Sequence, residues 1–190
     1  MIYWRIQDLY DADICEQGRV DCEAYMAATG KTAQDWLTAI EGLFGGVAGT
    51  VWGMGFCRKD CVREARDALS RFILKTAERY AAAAGPGAME NLDWLLQGHL
   101  INMAPRLAAM RGLATDENLS VYTRAVGLLF YVALDERTPL NVRAVRVSEQ
   151  AMLAATYREG HAVPSTAAWK AEYQAQYDDL KGILEGEDHG

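Results

Sequence analysis

Proline and histidine are scarce in this chain, with 4 and 3 in 190 residues, and cysteine is held to 4. So few prolines leave long stretches free to run as helix, because each proline removes a backbone donor and ends or kinks the element that holds it. The histidines fall in no H-E-x-x-H or Ser/His/Asp arrangement, and no G-x-S-x-G is present, so neither a metal hydrolase nor a nucleophile elbow is supported. Four cysteines make no disulfide framework in a chain long enough to bury a core without staples. Apolar runs of membrane length are also missing. Residues 121–134 are apolar except for Thr123 and Arg124 but fall short of the ~20 residues a span needs, and residues 37–56 carry Glu41 and six glycines. No stable membrane span is therefore expected. The first residues show no basic stretch leading into an apolar one, which makes the cytoplasm the expected location.

What remains is an ordinary globular composition, 51% hydrophobic and 24% charged, with a net charge of -7. The acidic balance opposes phosphate neutralisation, so nucleic acid is not an expected partner. Charge is spread unevenly. Residues 1–41 hold eight acids against three bases and residues 159–190 seven against two, whereas residues 57–80 hold seven bases against four acids.

Helix punctuation is legible. Gly30 can end a helix that includes residues 21–28, and Thr32, with Asp35 three residues on, can cap the next. Gly85-Pro86-Gly87 is the strongest internal break. Thr115 can open a helix with Asp116 and Glu117 in its first turn, Thr138 precedes Pro139 at a first helical position, and Ser165 opens the last helix. Between these marks apolar residues recur at 3.6 spacing. One stripe reads Cys57, Cys61, Ala65, Leu69, Phe72, Thr76 and Tyr80; a second Leu92, Leu96, His99, Met103, Leu107 and Met110; a third Trp169, Tyr173, Tyr177, Leu180 and Leu184. No segment alternates with the period of a strand. The pattern predicts an all-α, single-domain helical bundle of seven or eight helices over residues 1–184, followed by a mobile acidic tail at 185–190. Two helices that are apolar nearly all round, over 88–110 and 121–134, should be central, the first kinked at Pro105.

Several features bear on chemistry. Residues 28–32, Ala-Thr-Gly-Lys-Thr, resemble the tail of a phosphate-binding loop, but Tyr25 stands where that loop needs glycine, and a helix end explains Gly30. Cys15 and Cys22 are spaced C-x6-C and Cys57 and Cys61 C-x3-C, which does not match structural zinc knuckles; core cysteine is the expectation, and no metal or cofactor is called for. Gly45, Gly49 and Gly53 recur every four residues and would line one groove on a helix, permitting close packing. Arg124 lies within an apolar helix and must be paired or reach solvent.

Two functional expectations follow. The first is a non-enzymatic protein–protein interaction module of adaptor, inhibitor, immunity or chaperone type. Another protein, or a second copy of the chain, would dock on Trp4, Tyr10, Trp52, Trp169, Tyr173 and Tyr177, because aromatic residues dominate interface hot spots. The second is a small-molecule binder or enzyme with a pocket between the central helices, using His99, Asn102 and Arg124 as polar groups.

Overall fold

The computed structural model describes residues 1–99, 103–158 and 165–186. Among them the chain runs as ten α-helices: α1 (Ile6–Asp11), α2 (Glu16–Thr29), α3 (Gly46–Met54), α4 (Val62–Glu78), α5 (Ala81–Ala84), α6 (Ala88–Leu96), α7 (Ala104–Thr115), α8 (Val121–Leu134), α9 (Leu140–Tyr157) and α10 (Thr166–Glu185). A two-stranded antiparallel ribbon joins β1 (Tyr3–Arg5) to β2 (Trp36–Thr38), with Trp4 opposite Leu37. The protein is an all-α helical bundle. Its helices outnumber the seven or eight read from periodicity for two reasons. α1 and α5 are only 6 and 4 residues long, and residues 88–110 contain a break. None of the helices among the described residues is long and apolar enough to cross a membrane. Of the expected acidic tail, Glu185 still belongs to α10 and Gly186 caps it, while residues 187–190 lie outside the described residues.

α8 is central, as its composition requires: Ala125, Val126, Leu129, Phe130, Ala133 and Leu134 are all buried. Its partner at the centre is α9 rather than the 88–110 segment, and the small buried Ala144, Ala151, Ala154 and Ala155 of α9 suit close packing. The expected kink at Pro105 is instead a new helix start. Gly98, at φ +83°, takes the left-handed conformation that closes α6, and Pro105 falls in the first turn of α7, where a missing N–H is harmless. α7 buries only Met110. The caps shift similarly: Thr32 and Asp35 close a turn into β2, α8 is capped by Ser120, which accepts from Thr123 N at 3.1 Å, and α9 begins after Pro139. Ser165 caps α10 as expected.

Residues near the N-terminus form a second, smaller core of Trp4, Ile6, Leu9, Cys22 and Leu37. Trp4 is 1% exposed and lies against the backbone of Gly42 and Gly53, where a Cβ would come within 2.3 and 2.8 Å of its ring. Gly53 is thus needed for a tryptophan, not for a helix groove. Gly45 and Gly49 have nothing within 4 Å of a Cβ position, so the expected glycine groove does not exist. The turn into the glycine-rich segment is closed by Thr38 and Glu41, a capping box. Glu41 accepts from Thr38 N at 2.8 Å and from Lys31 Nζ, and donates its own N–H to Thr38 Oγ1 at 3.1 Å.

The last helix docks through polar groups. On α10, Glu172 and Gln176 are buried where the stripe predicted Tyr173 and Tyr177 to face inward; those tyrosines are half-buried flanks. Arg79 at the end of α4 donates to Glu172 from Nη2 at 2.7 Å and to Asp179 from Nη1 at 2.5 Å. Tyr80 Oη lies 2.8 Å from Glu172 Oε2 and 2.9 Å from the carbonyl of Ala151. Gln176 Nε2 donates to Glu172 at 2.9 Å and to Ser148 O at 3.2 Å, and its amide oxygen accepts from the Ser148 hydroxyl. Each buried polar side chain of this cluster therefore has a partner, which is the condition for burying it at all.

Two outcomes are expected. Gly53→Ala and Gly42→Ala overpack the Trp4 slot and lower unfolding free energy in urea by about 1–3 kcal/mol, whereas Gly49→Ala, facing open space within α3, raises it by about 0.5–1 kcal/mol. The second concerns acid. The Lys31 ammonium, then the Thr38 backbone N–H, hold the Glu41 carboxyl at about 2 against its ordinary 4.5. Since the folded pKa is depressed, this contribution to stability is complete above pH 4.5 and is lost as pH falls towards 2. Acid titrations followed by circular dichroism should show a shallower loss in Glu41→Gln over that window.

Candidate functional site

A cleft of about 600 Å³ opens between the end of α3, the first half of α4, the end of α6 and the start of α9. Each wall follows from local sequence. α4 turns its Ala65 and Leu69 inward at helical spacing and leaves Val62 and Arg66 at the mouth. The turn that closes α6 at Gly98 brings His99 to the cleft. The short connection from α8 to α9 contributes Arg137, Thr138 and Pro139, and the first turn of α9 contributes Asn141 and Arg143. Asn141 is seated by a close approach: its Nδ2 donates to Trp52 O at 3.3 Å, and a Cβ at Gly55 would lie 2.1 Å from that nitrogen.

Arg143 is the unusual group. It is 6% exposed, and its Nε and Nη2 are buried without a hydrogen-bond partner. Burial pulls its pKa below the ordinary value; Asp135 and Glu136 oppose that shift, while the nearby Arg66 adds to it. A buried guanidinium normally sits in a fork of acceptors. The network around Arg79 shows that this protein builds such forks elsewhere, yet none is built for Arg143 among the described residues. Among the described lining residues, three arginines (Arg66, Arg137 and Arg143) stand with one carboxylate, Glu136, and Asp135 just outside the lining pairs with Arg137 at 3.4 Å. The cleft is thus locally positive on a chain of net charge -7. Its apolar lining comes from Met54, Val62, Leu69, Leu95, Leu96 and Leu140.

Cys57 also lines the cleft. Neighbouring basic residues, Arg58, Lys59 and Arg63, do not activate it, because burial and the adjacent Cys61 raise its pKa to about 11. Cys61 is buried, accepts from Tyr3 N at 3.4 Å and donates to Arg58 O at 3.1 Å, so it ties the start of α4 to β1. Cys22 is likewise raised to about 11 by burial, and Cys15 is exposed at the start of α2. No group of three or more metal-ligating side chains occurs among the described residues.

The residues singled out from sequence are dispersed. His99 reaches the cleft but is exposed, not buried on a stripe, since α6 ends before it; its Nε2 lies 3.3 Å from Gln97 Oε1. Arg124 is half-buried, does not line the cleft, and has a buried Nε without a partner; no bridge to Asp93 forms. Asn102 lies outside the described residues. Of the interface candidates, Trp4 is core, and Tyr10 and Trp52 are half-buried around that same core, Trp52 edge-on to Phe56 at 5.6 Å. Trp169 is 41% exposed and stacks on Tyr173 at 5.7 Å, and Tyr177 packs on the main core. Arg143 and Arg66 line the cleft without having been among the candidate pocket residues. The signal for Arg143 was present: it stands four residues before Val147 and eight before Ala151, inside an apolar stripe, where a charge demands an explanation.

An unpartnered buried charge should cost stability. Arg143→Met keeps side-chain bulk and removes the charge, so urea unfolding should show a gain of about 1–3 kcal/mol. A loss of that size would mean that the guanidinium has a partner in solution.

No family model, curated protein or solved structure matches the chain.

Proposed function

We propose that the protein binds a small molecule, with the cleft between α3, α4, α6 and α9 as its site. The cleft itself carries this reading. Its volume of about 600 Å³ falls in the range of ligand sites, and it combines an apolar lining with a few convergent polar groups. The elements that form it are helices packed on the main core, which favours a site largely formed before ligand arrives. A cytoplasmic location is part of the same proposal, since the sequence calls for no disulfide framework.

The interaction-module reading retains one specific observation, the exposed Trp169 stacked on Tyr173 at the start of α10. It loses Trp4, which is buried, as a contact residue.

Amide and methyl NMR of the full chain, titrated with a library of small organic fragments, separates the two readings. Shifts should concentrate on Leu69, Leu95, His99 and Asn141, and Leu96→Trp, which fills the cleft, should abolish them. Fragments that perturb only the surface around Trp169, with the cleft silent, would overturn the small-molecule reading in favour of a docking face.

A further inference from the structure

We infer that the ligand of this cleft is an amphipathic anion, a carboxylate or phosphate group on an apolar body, whose charged head completes the empty coordination of Arg143. This rests on the cleft being a ligand site, and it adds the chemical class. Three observations converge on it. Arg143 is nine-tenths buried with two donor nitrogens that have no acceptor, and it lines the cleft. Leaving such donors empty is costly, and a ligand oxygen accepting from them recovers that cost on binding. Arg66, on the facing helix α4, lines the same cleft, and its charge adds to the depression of the Arg143 pKa, a repulsion that an anion between them would reverse. Val62, Leu69, Leu95 and Leu96 then provide apolar surface beside the charged end, so inorganic phosphate alone would leave most of the cleft unused.

Glu136, the one carboxylate among the described lining residues, is exposed and follows Asp135, which is engaged by Thr138 Oγ1 at 3.0 Å and by Arg137 Nε at 3.4 Å. It weakens the positive field at the mouth without providing the acceptor that Arg143 lacks. Two charges of the same sign on separate helices, one of them desolvated, are the arrangement that selects a ligand by charge rather than by shape alone.

Isothermal titration of the full chain with four probes tests the assignment: octanoate, octyl phosphate, 1-octanol and inorganic phosphate. The two amphipathic anions should bind at least tenfold more tightly than the neutral alcohol with the same tail, and inorganic phosphate more weakly than octyl phosphate. The stronger of octanoate and octyl phosphate identifies the head group. In Arg143→Met the anions should fall to the affinity of 1-octanol. Arg66→Gln, an exposed change that leaves the core intact, should take away part of the same advantage and so covers the case in which the buried variant fails to fold. Equal binding of alcohol and anions would overturn the charge assignment while leaving the cleft as a ligand site. If no probe binds and none shifts cleft resonances, while fragments of other chemistry do, the class is wrong; if nothing binds in the cleft at all, the ligand-site reading falls with it.

Discussion

The docking of α10 depends on one buried carboxylate. Glu172 is 7% exposed and receives Arg79, Tyr80 and Gln176 together. The first half of α10 has no fully buried apolar side chain; Leu180 and Ile183 come only later. The register of its first half against α4 and α9 is therefore set chiefly by hydrogen bonds and charge, while Leu180 and Ile183 anchor the second half in the apolar core. Removing one member of such a buried pair typically costs about 3–5 kcal/mol, a large share of the ~5–15 kcal/mol that holds a domain folded.

The same pair of helices, α4 and α9, carries the cleft at the other end. Arg79 and Tyr80 follow the C-terminal half of α4, and Ser148 and Ala151 lie midway along α9. Arg66 and Arg143 belong to the N-terminal parts of those helices. Thus two arginines are treated in opposite ways on one scaffold. Arg79 is matched by two carboxylates, whereas none among the described residues accepts from the buried Nε and Nη2 of Arg143. A charge can be retained in a core either because the protein pairs it or because something else does, and the scaffold does the first for Arg79 and leaves Arg143 open.

Much of the helical layout was readable along the chain. The α4 stripe from Cys61 to Thr76 is buried as its spacing required, Gly30 and Gly85 mark real helix ends, and Ser165 caps α10. The failures share a cause. β1 and β2 are three residues each and pair across more than thirty positions, so neither has a local period. Gly98 and Pro105 divide what looked like one long apolar helix, because apolar spacing continues across a break that backbone conformation imposes. The buried face of α10 differs from its aromatic stripe because Arg79 and Tyr80, nearly a hundred residues away, supply partners for Glu172.

For the candidate site the division is sharper. From the sequence alone came the apolar helices, the scarcity of groups for metal or nucleophilic chemistry, and the principle that an arginine among apolar residues must be paired or reach solvent. Which arginine that principle applies to was a tertiary matter. Arg124 and Arg143 both stand in apolar helical context, but only Arg143 is brought to a cleft beside Arg66 with its donors enclosed. Helical periodicity states which side of a helix faces inward; it does not state what faces that side from another helix. Burial, pairing and cavities all depend on that second fact, and it exists only once the chain has folded.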